Sequence, residues 1–222
     1  MQSKTEQLNS LFERWRQFYG ESTKAFAEDG IINEVAWANA SPKVLFLLKE
    51  TNDYCGDLRK LIPKYWKGSW PNVGRWTYGI HKIAAGHFPS FIEASRPENY
   101  KSAGESSAIM NLKKLTGKDQ SKMEEIRSFA QQDKDFIREE VDIIQPDIVV
   151  CGATFGIAKG IISGLDCKPI DPDRKCFKLG ETVWIDYCHP TARFRHDMMY
   201  YTLIAIYQNY LKSIDKTEAS VG

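Results

Sequence analysis

Glu50, Asn111 and His189 are polar side chains that each follow or end an apolar run, where a strand would deliver them to one edge of a sheet. His189 comes directly after Thr182-Val183-Trp184-Ile185-Asp186-Tyr187-Cys188 and opens the turn His189-Pro190-Thr191. The proline's fixed φ would hold the imidazole in one direction, where it could donate a hydrogen bond or move a proton. Glu50 follows Lys43-Val44-Leu45-Phe46-Leu47-Leu48, and a carboxylate there can orient or deprotonate a water or stabilise a developing cation. Asn111 lies near the end of Ser106-Ser107-Ala108-Ile109-Met110-Asn111-Leu112; its amide carries a donor and an acceptor and can read the edge of a base or an amide-like ligand. Each also has a purely structural explanation: a strand-end histidine, a turn asparagine, and capping by Thr51, Asn52 and Asp53 at the entry to a helix.

These side chains need a scaffold that brings strand ends together. The runs at 43–48 and 147–152 are continuous and apolar, which argues for a sheet covered on both faces. In the second, Gly152 and Gly156 would allow close backbone approach. Amphipathic helices are expected over 4–28 (Leu8, Leu11, Phe12, Trp15, Phe18 and Tyr19), over 133–144 (Phe136, Ile137, Val141 and Ile144, stopped by Pro146), over 154–164 and over 195–213. Alternating strands and helices predict an α/β protein, a three-layer α/β/α sandwich with a central, mostly parallel sheet of about four strands. In such a sheet the ligand crevice lies outside the carboxyl ends of the strands. One domain over 1–215 is expected, with a basic, aromatic-rich insertion at about 56–105 and a frayed tail at 216–222.

Whole-chain charge is nearly balanced, 30 lysines and arginines against 29 acids, so any polyanion partner must be read from local charge. Residues 59–82 hold no acid and interleave Arg59, Lys60, Lys64, Lys67, Arg75 and Lys82 with Tyr65, Trp66, Trp70, Trp76 and Tyr78. Such a mixture suits phosphate neutralisation and base stacking, and equally suits tryptophans anchoring a segment whose lysines face solvent. Arg193, Phe194 and Arg195 follow the His-Pro-Thr turn, where arginines could hold phosphates and the phenylalanine could wedge between bases, or could begin the core face of the last helix. The five cysteines are odd in number and form no CxxC pair, which favours free thiols in a reducing, cytoplasmic setting; Cys188 is expected to be a buried packing residue. No membrane span, nucleotide-phosphate loop or metal-ligand spacing is evident, so no metal and no cofactor is expected. A monomer is favoured.

In their order, these elements resemble the uracil-DNA glycosylase superfamily, most closely its thermophile-type branch, over about residues 43–205. The segments that carry the likeness are Lys49-Glu50-Thr51-Asn52-Asp53 after the first strand, Ile109-Met110-Asn111, the helix and strand from Phe136 to Gly152, and His189-Pro190-Thr191, similar to the family's His-Pro-Ser motif. Where the family's first motif carries Gly and a Pro-Gly pair, this chain has Lys49, Asn52 and Asp53. Where that branch has cluster-ligating cysteines, it has Lys113, Lys114 and the stretch Gln131–Asp135, which implies no iron–sulfur cluster. The resemblance implies a flipped-out uracil or deaminated base in the crevice and hydrolysis of its N-glycosidic bond in DNA repair. His189 would stabilise the leaving base and Glu50 would serve the water or the sugar cation. Asn111, Asn52, Asp53 and Tyr54 would hold the base, while Lys64, Lys67, Arg75, Trp76, Arg193, Phe194 and Arg195 would hold nucleic acid. Two alternatives stand beside it: a catalytically inactive DNA-binding member, and an enzyme acting on a free nucleoside or nucleotide.

Overall fold

The computed structural model describes residues 2–20, 25–117, 121–165 and 168–219, with side chains described to residue 214. In chain order the elements are α1 (Lys4–Tyr19), β1 (Gly30–Ile31), α2 (Glu34–Ala38), β2 (Val44–Leu48), α3 (Leu58–Leu61), α4 (Trp70–Ala84), α5 (Phe91–Ala94), α6 (Pro97–Glu105), β3 (Ala108–Asn111), α7 (Met123–Gln132), α8 (Lys134–Ile144), β4 (Ile148–Gly152), α9 (Phe155–Ile161), β5 (Cys176–Leu179), β6 (Thr182–Tyr187) and α10 (His196–Ala219). The strands form one sheet in the order β1-β3-β2-β4-β6-β5. Its four central strands are mutually parallel, and the short edge strands β1 and β5 pair antiparallel.

Side-chain alternation along the central strands divides the core in two. Leu45, Leu47, Met110, Val149, Cys151 and Trp184 face Leu8, Leu11, Phe12 and Trp15 of α1 together with α7, α8 and α9. Val44, Phe46, Leu48, Ile109, Val150 and Ile185 face Val73, Trp76 and Ile80 of α4 and Tyr200, Leu203 and Ile204 of α10. The result is a three-layer α/β/α sandwich.

Several expectations change at this level. Residues 56–105 are not an appendage: they form the crossover from β2 to β3, and α4 supplies much of one helical layer. The first helix ends at Tyr19, closed by Gly20 at a positive φ of 58°, which glycine adopts without steric cost, well before residue 28. The last helix runs to Ala219, into the stretch expected to fray, while 220–222 lie outside the described residues. The β5–β6 hairpin turns at Gly180, φ 58°, and Glu181, a two-residue loop beginning with glycine.

The connections also locate a crevice. From β2 the chain crosses one face to β3, and from β3 it crosses the other face to β4, so its course reverses between the neighbouring strands β2 and β4. That is the topological switch point, at whose carboxyl edge open α/β sheets bind ligands.

Candidate functional site

The parallel strands end level with one another. Asn111 is the last residue of β3 and pairs with Leu48, while Gly152 at the end of β4 pairs with Tyr187 at the end of β6. Glu50 lies two residues past β2 and His189 two residues past β6. All three polar side chains line one cavity of about 240 Å³, with Leu48, Asn52, Tyr54, Tyr65, Trp70 and Thr191 also on its walls. Its modest size suits a single ring system. A larger cleft of about 510 Å³, between β6 and α10, lacks this convergence of strand-end polar groups.

His189 is held from both sides of its turn. The Ala192 N–H donates to the His189 carbonyl at 2.8 Å, closing a turn with proline in its second position. The buried Asn72 of α4 donates from Nδ2 to the Pro190 carbonyl at 2.8 Å. The backbone N–H of Thr191 donates to His189 Nδ1 at 3.2 Å, and the Thr191 hydroxyl lies 2.8 Å from the same nitrogen. Because a backbone N–H can only donate, Nδ1 accepts, and the neutral ring carries its proton on Nε2. Burial, assisted by the nearby positive charge of Lys49, pushes the His189 pKa down to about 4. At neutral pH the site therefore presents an uncharged donor.

Glu50 is immobilised differently. Lys113 Nζ donates to its Oε2 at 2.7 Å and to Glu125 Oε1 at 2.6 Å, and the side chains of Glu50 and Lys113 are only 3% and 4% exposed. The two carboxylates raise the Lys113 pKa against the opposing effect of burial. Gly117 packs over Glu50: a Cβ at that position would come within 2.1 Å of the Glu50 carboxyl carbon. Its N–H donates to the Thr51 carbonyl at 2.7 Å, tying the β3–α7 loop to the strand end that carries Glu50. Thr51 in turn donates through its hydroxyl to the Tyr54 carbonyl, the kind of local turn bond its residue type favours.

Asn111 is buried, and both its backbone N–H and its Nδ2 donate to Asp29 Oδ2, at 2.7 and 3.1 Å. Asn52 and Tyr54 line the cavity, while Asp53 is exposed beside it.

The nucleic-acid residues expected from sequence divide sharply. Lys64, Lys67, Arg193, Phe194 and Arg195 are exposed, and they flank in sequence the cavity residues Tyr65, Ser69 and Thr191. Arg195 is bidentate to Asp197, with nitrogen to oxygen distances of 3.1 and 2.7 Å. Trp76 and Arg75 require correction. Trp76 is completely buried against Phe46 and Tyr187, so its large apolar ring belongs to the core and cannot stack on a ligand. Arg75 is half-buried between the rings of Phe91 and Tyr100 and donates to Asn72 Oδ1 at 2.9 Å, which makes it a packing residue and a support for the Asn72 clasp. Arg59 is likewise buried, paired with Asp57 and Glu28.

Cys188 is half-buried on the wall of the larger cleft, and burial pushes its thiol pKa up. Cys55, Cys151, Cys176 and Cys188 are free thiols; Cys167 lies outside the described residues. Among the described residues there is no cluster of metal-ligating side chains and no helix long and apolar enough to cross a membrane.

Asp29, Gly117 and Asn72 escaped the sequence because each acts through a partner more than 45 residues away. Lys113 left a trace, as one of two lysines directly following an apolar strand. Neither protein-family models nor curated proteins give a match to this chain.

Proposed function

We propose that this protein is a DNA glycosylase-like hydrolase that cleaves the N-glycosidic bond of a flipped-out uracil or other deaminated base, in keeping with its sequence resemblance to the uracil-DNA glycosylase superfamily. The observation that carries the proposal is the convergence of Glu50, Asn111 and a neutral, Nε2-protonated His189 on one small cavity at the carboxyl edge of the sheet. In the reaction the bond between the sugar C1′ and the base nitrogen breaks with its electron pair leaving on the base, and a water oxygen bonds to C1′. His189 donates a hydrogen bond to the base carbonyl as negative charge grows there, without surrendering its proton. Glu50, held by Lys113, faces the cationic sugar and orients the water, whose released proton passes to solvent or to the departing base. Tyr54, Tyr65 or Trp70 gives the extruded ring a stacking partner in place of its neighbours in the duplex. The exposed Lys64, Lys67 and Arg193 neutralise phosphates at the rim.

The test is a duplex carrying a single uracil, assayed for abasic sites with wild type and His189→Ala, and repeated with hypoxanthine and xanthine. Release by wild type and a loss of 100-fold or more in the variant, on the order expected for removing one charge-stabilising donor, is the expected result. Absence of release from all three substrates overturns the hydrolase assignment. Salt-sensitive DNA binding that persists without Glu50 or His189 would then favour a binding module.

A further inference from the structure

A carboxylate that activates water needs a way to lose the proton it gains. The proton released when water bonds to the sugar must leave the site before the next turnover. The Glu50 side chain is only 3% exposed although it lines the cavity, and a base seated there covers what remains. Gly117 closes a second side, so near that even a Cβ would collide with the carboxyl group.

Lys113 stands on a third side. Its ammonium donates to Glu50 Oε2 at 2.7 Å and to Glu125 Oε1 at 2.6 Å, and Nζ lies 5.1 Å from the centre of the Phe129 ring. Glu125 and Phe129 are four residues apart on α7, so one face of that helix fixes the lysine. Lys113 is sealed, but the Glu125 side chain is 47% exposed. Among the described residues, two short hydrogen bonds thus join a closed carboxylate to one in contact with bulk water.

The lysine between them must keep its charge. Burial works against the ammonium, but the two carboxylates raise the Lys113 pKa, so a lysine left neutral there would be costly. Giving one proton while receiving another avoids that state, and an ammonium has three N–H bonds with which to do so.

We propose that Lys113 and Glu125 form a proton exit for Glu50, a relay that carries the proton of the attacking water from the closed site to solvent. As the water oxygen bonds to C1′, one of its O–H bonds breaks and the proton bonds to Glu50. That proton then moves to Lys113 Nζ while another Nζ proton moves to Glu125 Oε1, which restores the ammonium. Glu125 passes its proton to bulk water, and Glu50 is a carboxylate again. The inference rests on the hydrolase assignment and adds to it two residues that lie outside the cavity wall.

The experiment is steady-state release of uracil from duplex DNA by wild type, Glu125→Gln, Glu125→Ala and Lys113→Arg. Glutamine still accepts from Lys113 but takes up no proton, and arginine keeps the charge and the donors of lysine but is not deprotonated. Glu125→Gln and Lys113→Arg are each expected to lower kcat by about tenfold or more at unchanged KM, in variants that melt cooperatively. Added acetate is expected to restore much of the lost kcat to Glu125→Ala, where a small carboxylate takes the place of the missing acceptor, and to do nothing for His189→Ala. A wild-type kcat in either folded variant, or no gain from acetate in Glu125→Ala, overturns the relay, because anchoring alone needs no proton acceptor. Should Lys113→Arg fail to fold, the two variants of the exposed Glu125 decide. Failure of the hydrolase assignment looks different: wild type itself then releases no base, and the relay falls with it, whereas release by wild type and variants alike removes the relay alone.

Discussion

His189 shows how neighbouring backbone can select a tautomer. With Nδ1 accepting from Thr191 and burial opposing charge, the imidazole stays neutral until the pH approaches about 4, against an ordinary value of 6.5. The acid limb of the pH–rate profile attributable to this ring is therefore expected near pH 4, and a limb near 6.5 would refute a neutral donor. Stability follows with its own sign. Below pH 6.5 the unfolded chain takes up a proton that the native ring refuses until about 4, so stability falls as pH drops through that window. Its loss across the window, measured by urea titration at a series of pH values, is expected to be smaller in His189→Asn by up to about 3 kcal/mol. Lys49→Met removes the second cause of the depression and is expected to raise the His189 pKa in an NMR titration.

At the scale of elements, the loop from β3 to α7 acts as a clamp. Lys113 and Gly117 grip Glu50 from opposite ends of five residues, the lysine by charge and the glycine by the absence of a side chain. Gly117→Ala would push the Glu50 carboxyl from its place, and a loss of tenfold or more in base release is expected with little change in melting temperature. If activity is unchanged, Glu50 is not held for the reaction. Helix α4 has a second role besides packing, because its Asn72 holds the turn that carries His189. Its Trp76 was legible as aromatic but not as core: alternating basic and aromatic residues look alike whether the rings face a ligand or a sheet, and only the packing on Phe46 placed Trp76 inside. Trp76→Ala is expected to cost about 3–5 kcal/mol in denaturant unfolding, as removal of a fully buried tryptophan does. A surface base-stacking role would leave stability near wild type.

Across the whole molecule, a nearly neutral chain keeps exposed cations beside residues of one cavity. If these cations hold phosphates, replacing Lys64, Lys67 and Arg193 together by alanine is expected to weaken duplex binding whatever the sequence. The slope of log affinity against log salt should then flatten by about 0.9 for each phosphate the variant no longer neutralises. A slope equal to that of wild type would remove them from the interface. Much of the architecture was legible in the chain because it rests on local pattern: continuous apolar runs make buried parallel strands, periodic stripes make covering helices, and Pro190 marks the turn bearing the histidine. The edge strands were less visible, β1 because two residues carry almost no pattern and β5 because only half of it is buried. From sequence alone came the strand-end residue types Glu50, Asn111 and His189, and with them the chemistry available. Only the tertiary structure decided that the three share a cavity, that Trp76 and Arg75 belong to the packing, and that Lys113 and Asp29 hold Glu50 and Asn111. Charge pairs and steric limits between distant segments arise when the sheet closes, and spacing along the chain carries little record of them.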